Sequence, residues 1–285
     1  MLKYLALAIC AFCLTFAASA ADDSAEKPAE KTVTKQIGGM KVIALLDNKS
    51  DAKPNILVGM SKEAKDKAVA DGKMKTSINA FVVQMNGKTI LFDTGLPGKG
   101  GTAGILPALK EAGISPDAID AILITHFHFD HVGGLMDGDK PVFSKAQLYV
   151  PRVETDKWTW GGLSFVGAYT IRFNIFEWND EVLPGIKALK ADGHTPGHTI
   201  FKLEAGDGKL LVIGDLIHVP GVQLANPDVA VTYDNDPVKA VASRKRLFDM
   251  AAKEGLPVAA MHIPFPGMGV LAKEGSGYTF TELDK

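Results

Sequence analysis

Apolar and polar positions along this chain fall into short strand-like runs interrupted by a few helical ones. Met40 to Leu46 predicts a strand, and so does Asn79 to Met85. Asn86-Gly87 and the apolar run Lys88 to Phe92 come next; an Asn-Gly pair between two such runs is the strongest short hairpin signal. Thr102 to Ala112 predicts a helix stopped by Gly113. Ala121 to Thr125 reads as a buried strand, and Gln147 to Val150 as another, closed by Pro151. Ile186 to Leu189 leads into Asp192-Gly193-His194, and Thr199 to Glu204 pairs with Lys209 to Ile213 around Gly206-Asp207-Gly208. Asp236 as N-cap and Pro237 at the first helical position open a helix to about Glu254, ended by Gly255. Pro257 to Met261 is a short strand that delivers His262. Strand pairs followed by helices in both halves predict two similar αβ layers facing each other, with no clean internal repeat.

The first residues change this picture. Lys3, the apolar run Tyr4 to Ala17 and the small residues Ala18-Ser19-Ala20 have the layout of a secretory signal peptide, residues 1–20. The run is short for a membrane span, so no stable anchor is expected after cleavage and the mature protein would be periplasmic or secreted. Cys10 and Cys13, the two cysteines, both lie in this leader, so a mature chain would have no disulfide and no thiolate. Net charge moves from −2 to −3 when Lys3 is lost, nearly neutral and unsuited to nucleic acid. Residues 21–36, rich in Ala, Glu, Lys and Asp with Pro28, read as a solvated, flexible lead-in. Residues 37–285 are ample for one large domain.

The chemistry concentrates in His126-Phe127-His128-Phe129-Asp130-His131, three imidazoles and a carboxylate in six residues of a chain with seven histidines. These donors suit zinc or another first-row divalent metal. The cluster follows a strand and precedes Val132-Gly133-Gly134-Leu135, read as a turn entering a helix, where α/β proteins place their chemistry. His194, Asp215 and His262 each follow an apolar run beside a Gly- or Pro-containing turn. Two metals about 3.5–4 Å apart can share a hydroxide and clamp both attacking and leaving oxygens, which provides a nucleophile without Ser or Cys. Asp130 could steer that hydroxide or accept a proton. Asp93-Thr94-Gly95 also matches an aspartic-protease signature, but that chemistry needs two copies and the chain has one. His198 is expected to make a structural hydrogen bond. His218 is expected either to line the pocket or to be a plain loop histidine. Phe127 and Phe129 are expected to pack and hold the loop.

Asp93, His126/His128/Asp130/His131, His194, Asp215 and His262, in this order, resemble the five motifs of the metallo-β-lactamase fold superfamily. The resemblance implies a four-layer αββα sandwich of the α/β (α+β) class, with the metal site at one edge. It implies that His126, His128 and His194 bind one metal, that Asp130, His131 and His262 bind a second, and that Asp215 bridges both. Asp93 resembles the buried acid that orients ligands without binding metal. The implied cofactors are two divalent ions, zinc first, with iron or manganese also suited.

Departures from the pattern narrow the activity. True β-lactamases of the superfamily carry Cys or Ser where Asp215 stands, and flavin-partnered di-iron reductases carry Glu where His128 stands. Glyoxalase II-like members need a long C-terminal helical domain, and only Ile263 to Lys285 follow the last candidate ligand here. RNA-processing members add a second domain and a basic surface. What remains resembles methyl parathion hydrolase and N-acyl-homoserine lactonases, which act on apolar esters. The expectation is an exported binuclear hydrolase of an ester, lactone or phosphotriester using a metal-bridging hydroxide. A β-lactam hydrolase and a non-catalytic metal or ligand binder are the rival readings. The partner would be a small apolar ester-like molecule, not nucleic acid, and a homodimer is left open because some relatives form one. Trp158, Trp160, Phe165, Phe173 and Trp178 are expected to form an apolar wall over the site.

Overall fold

A computed structural model describes residues 30–98, 104–157 and 164–284. The leader, the start of the predicted helix at Thr102, and Trp158 and Trp160 lie outside the described residues. Lys31–Lys285 form one unit.

Two seven-stranded sheets carry the fold. In the first, strand order follows chain order: Thr32–Ile37, Met40–Asp51, Lys75–Met85, Lys88–Phe92, Ala121–Leu123, Gln147–Pro151 and Phe173–Phe176. Its first four strands are antiparallel and its last four run parallel. The second sheet runs Glu181–Leu183, Ile186–Lys190, Thr199–Ala205, Gly208–Val212, Pro257–Ala259, Met268–Glu274 and Gly277–Glu282, with one parallel pair, Gly208–Val212 beside Pro257–Ala259. Parallel neighbours need a crossover. The crossover between these two strands is the Pro237–Glu254 helix.

The period-2 alternation of side chains builds the layers. Val42, Ala44, Phe81, Val83 and Phe92 face Phe201, Leu203, Leu210 and Val212 between the sheets. The intervening Ile43, Leu45, Val82 and Leu91 face outward onto Ala108, Leu109, Phe165 and Tyr169. Ile200, Leu211 and Val258 pack outward against Leu247, Phe248 and Ala251 of the long helix. Phe92 and Phe201 meet edge to face across the sheets at 5.5 Å, a contact worth about 0.5–1.5 kcal/mol beyond its area. The result is an αββα sandwich, as the resemblance implied.

Local signals held where the chemistry is local. Asn86 and Gly87 take φ 49° and 71°, the primed hairpin turn. Asp236 accepts from Lys239 N at 3.1 Å, and Gly255 ends the helix at φ 62°.

Two expectations change. The lead-in does not run to Gln36, because Thr32–Ile37 is an edge strand paired with Met40–Leu45. The helix after the metal motif begins inside it, at Phe129–Val132, because His131 N and Val132 N both bond back to His128 O.

Candidate metal centre

Every candidate donor lies just past the C-terminal end of a strand, on the same side of the sandwich. The hexapeptide follows Ala121–Leu123, His194 follows Ile186–Lys190, Asp215 follows Gly208–Val212 and His262 follows Pro257–Ala259. His128 Nδ1 lies 2.9 Å from His194 Nε2, and His194 Nε2 lies 3.1 Å from Asp215 Oδ2. His126 Nε2 is 3.6 Å from the same oxygen. The other oxygen, Asp215 Oδ1, is 3.1 Å from His131 Nε2 and 3.2 Å from His262 Nε2. Asp130 Oδ2 completes this second group, 3.5 Å from His262 Nε2 and 3.7 Å from His131 Nε2. His126, His128, His194 and Asp215 thus form one donor set and Asp130, His131 and His262 another, each within 4.8 Å, with Asp215 facing both.

The inward-facing atoms carry the test of fit. His126 Nε2, His131 Nε2, His262 Nε2 and Asp215 Oδ1 are buried and make no hydrogen bond. Buried polar atoms without partners are rare and call for an explanation. Four of them converging, all nitrogen or carboxylate oxygen, fit a pair of divalent cations.

The outward-facing nitrogens are held by the protein. His131 Nδ1 donates to Asp93 Oδ2 at 2.7 Å, and His194 Nδ1 donates to Asp234 Oδ1 at 2.9 Å. His262 Nδ1 donates to the Ser77 carbonyl at 2.9 Å, and His126 Nδ1 meets Thr125 Oγ1 at 3.0 Å. Asp93 also accepts from Thr125 N and Thr125 Oγ1, both at 2.8 Å. Such contacts set each tautomer, leaving the inner nitrogen as a lone-pair donor.

Electrostatics drive the histidines of the centre in opposite directions. Burial, with His131 beside it, takes His126 well below the ordinary histidine value. Burial and His194 bring His128 down to about 4. His131 is desolvated too, yet Asp215, Asp130 and Asp93 carry it well above the ordinary value. Desolvation of His194 is likewise outweighed by Asp215 and Asp234, which push it up to about 9. Burial would raise Asp215, but His131, His262 and His126 hold it well below the usual carboxylate range. A cation entering this cluster displaces protons.

The two remaining histidines take different parts. His198 donates from Nδ1 to the Ala191 carbonyl at 3.0 Å and accepts from Asp215 N at Nε2, also at 3.0 Å, so it clamps the Asp215 turn. His218 stacks on His262 at 5.1 Å and 17°, with Nε2 3.0 Å from Asp215 Oδ2, and groups with both as a third donor cluster.

A cavity of about 1040 Å³ opens over the cluster, with Leu96, Phe129, Val132, Met136 and Phe165 on its apolar side. His218 and Phe165 are among its lining residues. Phe127 and Phe129 both line the cavity, but Phe127 is buried whereas Phe129 is 62% exposed, so Phe129 is not the packing residue it was expected to be. The short helix starting at Phe129 turns its ring outward while Asp130 and His131 turn in. Trp178 does not line the cavity: its Nε1 donates to Thr199 Oγ1 at 3.0 Å and Lys190 Nζ sits 4.8 Å over its ring. Phe173 packs against the outer core of the first sheet.

Several site residues carried no sequence signal. Asp234, Glu154 and Tyr233 follow no motif and reach the site only through the fold. Tyr233 lines the cavity, and Arg244, buried in the long helix, donates to the carbonyls of Leu216, Pro227 and Val229 beside the Asp215 and Asp234 loops.

The Metallo-beta-lactamase superfamily pattern matches residues 75–262. An N-acyl homoserine lactonase of Bacillus cereus is 27% identical over 162 residues, covering 53% of this chain and 58% of that protein. One from Bacillus thuringiensis is 29% identical over 154 residues with the same coverage, so the match spans little more than half of these relatives. Among solved structures, hydrolase AbOPH of the beta lactamase superfamily superposes with TM-score 0.84 at 29% identity, covering 91% of this chain and 99% of that one. AidC, a dizinc quorum-quenching lactonase, superposes with TM-score 0.80 at 23% identity over 90% of this chain and 99% of its own. With the matched pattern spanning both donor sets from Lys75 to His262, the chain belongs to the metallo-β-lactamase superfamily.

Proposed function

We propose that this protein is an exported binuclear metal-dependent hydrolase that cleaves an ester, lactone or phosphotriester, with zinc in both donor sets. One observation carries the reading: donors from three other strand ends converge on the two oxygens of Asp215, and four of the inward atoms are buried without a hydrogen bond. Cations bound there would supply Lewis acidity and a water-derived nucleophile at neutral pH. His126, His128 and His194 would hold the first, Asp130, His131 and His262 the second, and Asp215 would be shared.

The chain's own groups then divide the work. Asp130 is the one acid among the donors with an appreciably exposed side chain, 22%, so it can take a proton from water and return it to a leaving group. Asp93 and Asp234 hold His131 and His194 in one tautomer. Leu96, Phe129, Val132 and Met136 seat the apolar arm of the substrate and exclude water from it. The lactonase activity of the Bacillus relatives makes acyl lactones the first compounds to try. Export rests on the leader pattern of Lys3, the apolar run and Ala18-Ser19-Ala20.

The test is metal analysis of the purified protein followed by a panel of esters, lactones, phosphotriesters and β-lactams, each run before and after chelation. Two metals per chain and chelator-sensitive turnover of an ester, lactone or phosphotriester are expected. Full activity in metal-stripped protein, or turnover confined to β-lactams, would overturn the proposal. A mature N-terminus at Ala21 is expected on expression with the leader; an intact leader on active protein would remove the export claim.

A further inference from the structure

His128 and His194 belong to different loops, yet their ring nitrogens lie 2.9 Å apart. Glu154, on the Arg152–Lys157 helix, is completely buried between those loops. Its Oε2 accepts from Phe127 N, between His126 and His128, at 3.0 Å. Its Oε1 accepts from Gly197 N, three residues past His194, at 2.7 Å. The approach is close enough that a Cβ on Gly197 would fall 2.6 Å from Glu154 N and 2.8 Å from Oε1. A hydrophobic side chain there would offer neither amide an acceptor, so the buried carboxylate ties the two loops through both hydrogen bonds. Gly197 also precedes His198, which holds the Asp215 turn.

We infer that Glu154 is a positioning residue that sets the spacing of the two loops and so preassembles the first donor set, His126, His128 and His194. It spans neither Asp130 nor His262, so the second set depends on it less. This inference rests on the binuclear reading above.

The test is Glu154→Gln, which keeps one acceptor oxygen and turns an NH2 group toward the other amide. Zinc retention under a competing chelator, the cobalt(II) absorption spectrum and the melting temperature of the apoprotein are measured on the full chain. The variant is expected to bind one of its two metals about 10- to 100-fold more weakly, the scale of losing a group that orients ligands. Its cobalt spectrum should match that of His128→Ala rather than that of His262→Ala. A purely structural role would lower the apoprotein melting temperature and leave both affinities at the wild-type value, which overturns the inference. Loss of the equivalent that His262→Ala loses overturns it too. If Glu154→Gln does not fold, Gly197→Ala crowds the same contact from the other side, and the same two outcomes decide. A wild-type protein that binds no metal sinks the binuclear reading, and this inference with it; a two-metal wild type matched by the variant sinks the inference alone.

Discussion

The two halves of the sandwich supply the centre in opposite ways. The first sheet delivers four donors from one hexapeptide, His126 to His131, at the end of one strand. The second delivers three, His194, Asp215 and His262, singly from three strand ends. Neither half completes a donor set: His126 and His128 need His194, while Asp130 and His131 need His262. Metal binding should therefore report the docking of the two sheets, and binding energy becomes folding energy.

Asp215→Ala tests the shared point of that comparison and should have the largest effect, because both sets lose an oxygen. Turnover should fall by more than about 10³-fold, the scale of losing a group that directly stabilises reacting charge. Retention of two metals by this variant would break the comparison. His128→Ala removes a donor from the first set only. Activity should drop more than about 100-fold, beyond the loss of an orienting partner, with metal content falling toward one per chain by elemental analysis. Asp93→Asn leaves all donors in place but replaces the carboxylate that accepts from His131 Nδ1. About 10- to 100-fold weaker metal binding, measured by chelator competition, is expected.

Proton release on metal uptake sharpens the same contrast. His194 is pushed up to about 9 and His131 is raised well above its ordinary value, so the metal-free protein holds these protons at pH 7. A metal needs the neutral imidazole, so affinity should rise with pH up to the region of 9, and zinc addition at pH 7 should release protons. Calorimetry in buffers of different ionisation enthalpy reads this directly, and uptake without proton release would contradict it. The smallest effect belongs to Phe129→Ala. This ring is 62% exposed on the cavity wall, so melting should shift little while KM for an apolar ester rises up to about tenfold, the scale of one partly buried apolar contact.

The hexapeptide, the Asn86-Gly87 hairpin and the Asp236-capped helix were legible in the chain because each depends on neighbours within a few residues: ligand density, turn dihedrals and capping. The joint spacing of His194, Asp215 and His262 with the hexapeptide pointed to the family, and the geometry brings those residues together. The edge strand Thr32–Ile37 was hidden because Thr-Val-Thr-Lys-Gln-Ile is polar enough to pass for a solvated lead-in, and only pairing with Met40–Leu45 orders it.

Asp234, Glu154 and Arg244 were invisible for a stronger reason. An isolated acid or arginine has no local pattern, and its role comes from the backbone that long-range packing places beside it. Phe127 and Phe129 make the same point two residues apart: both line the cavity, but Phe127 is buried before the short helix begins while Phe129, its first residue, is exposed. Donor identity is thus written in residue type and order, whereas which groups orient the donors, and which rings meet a substrate, follows from how the two sheets close on each other.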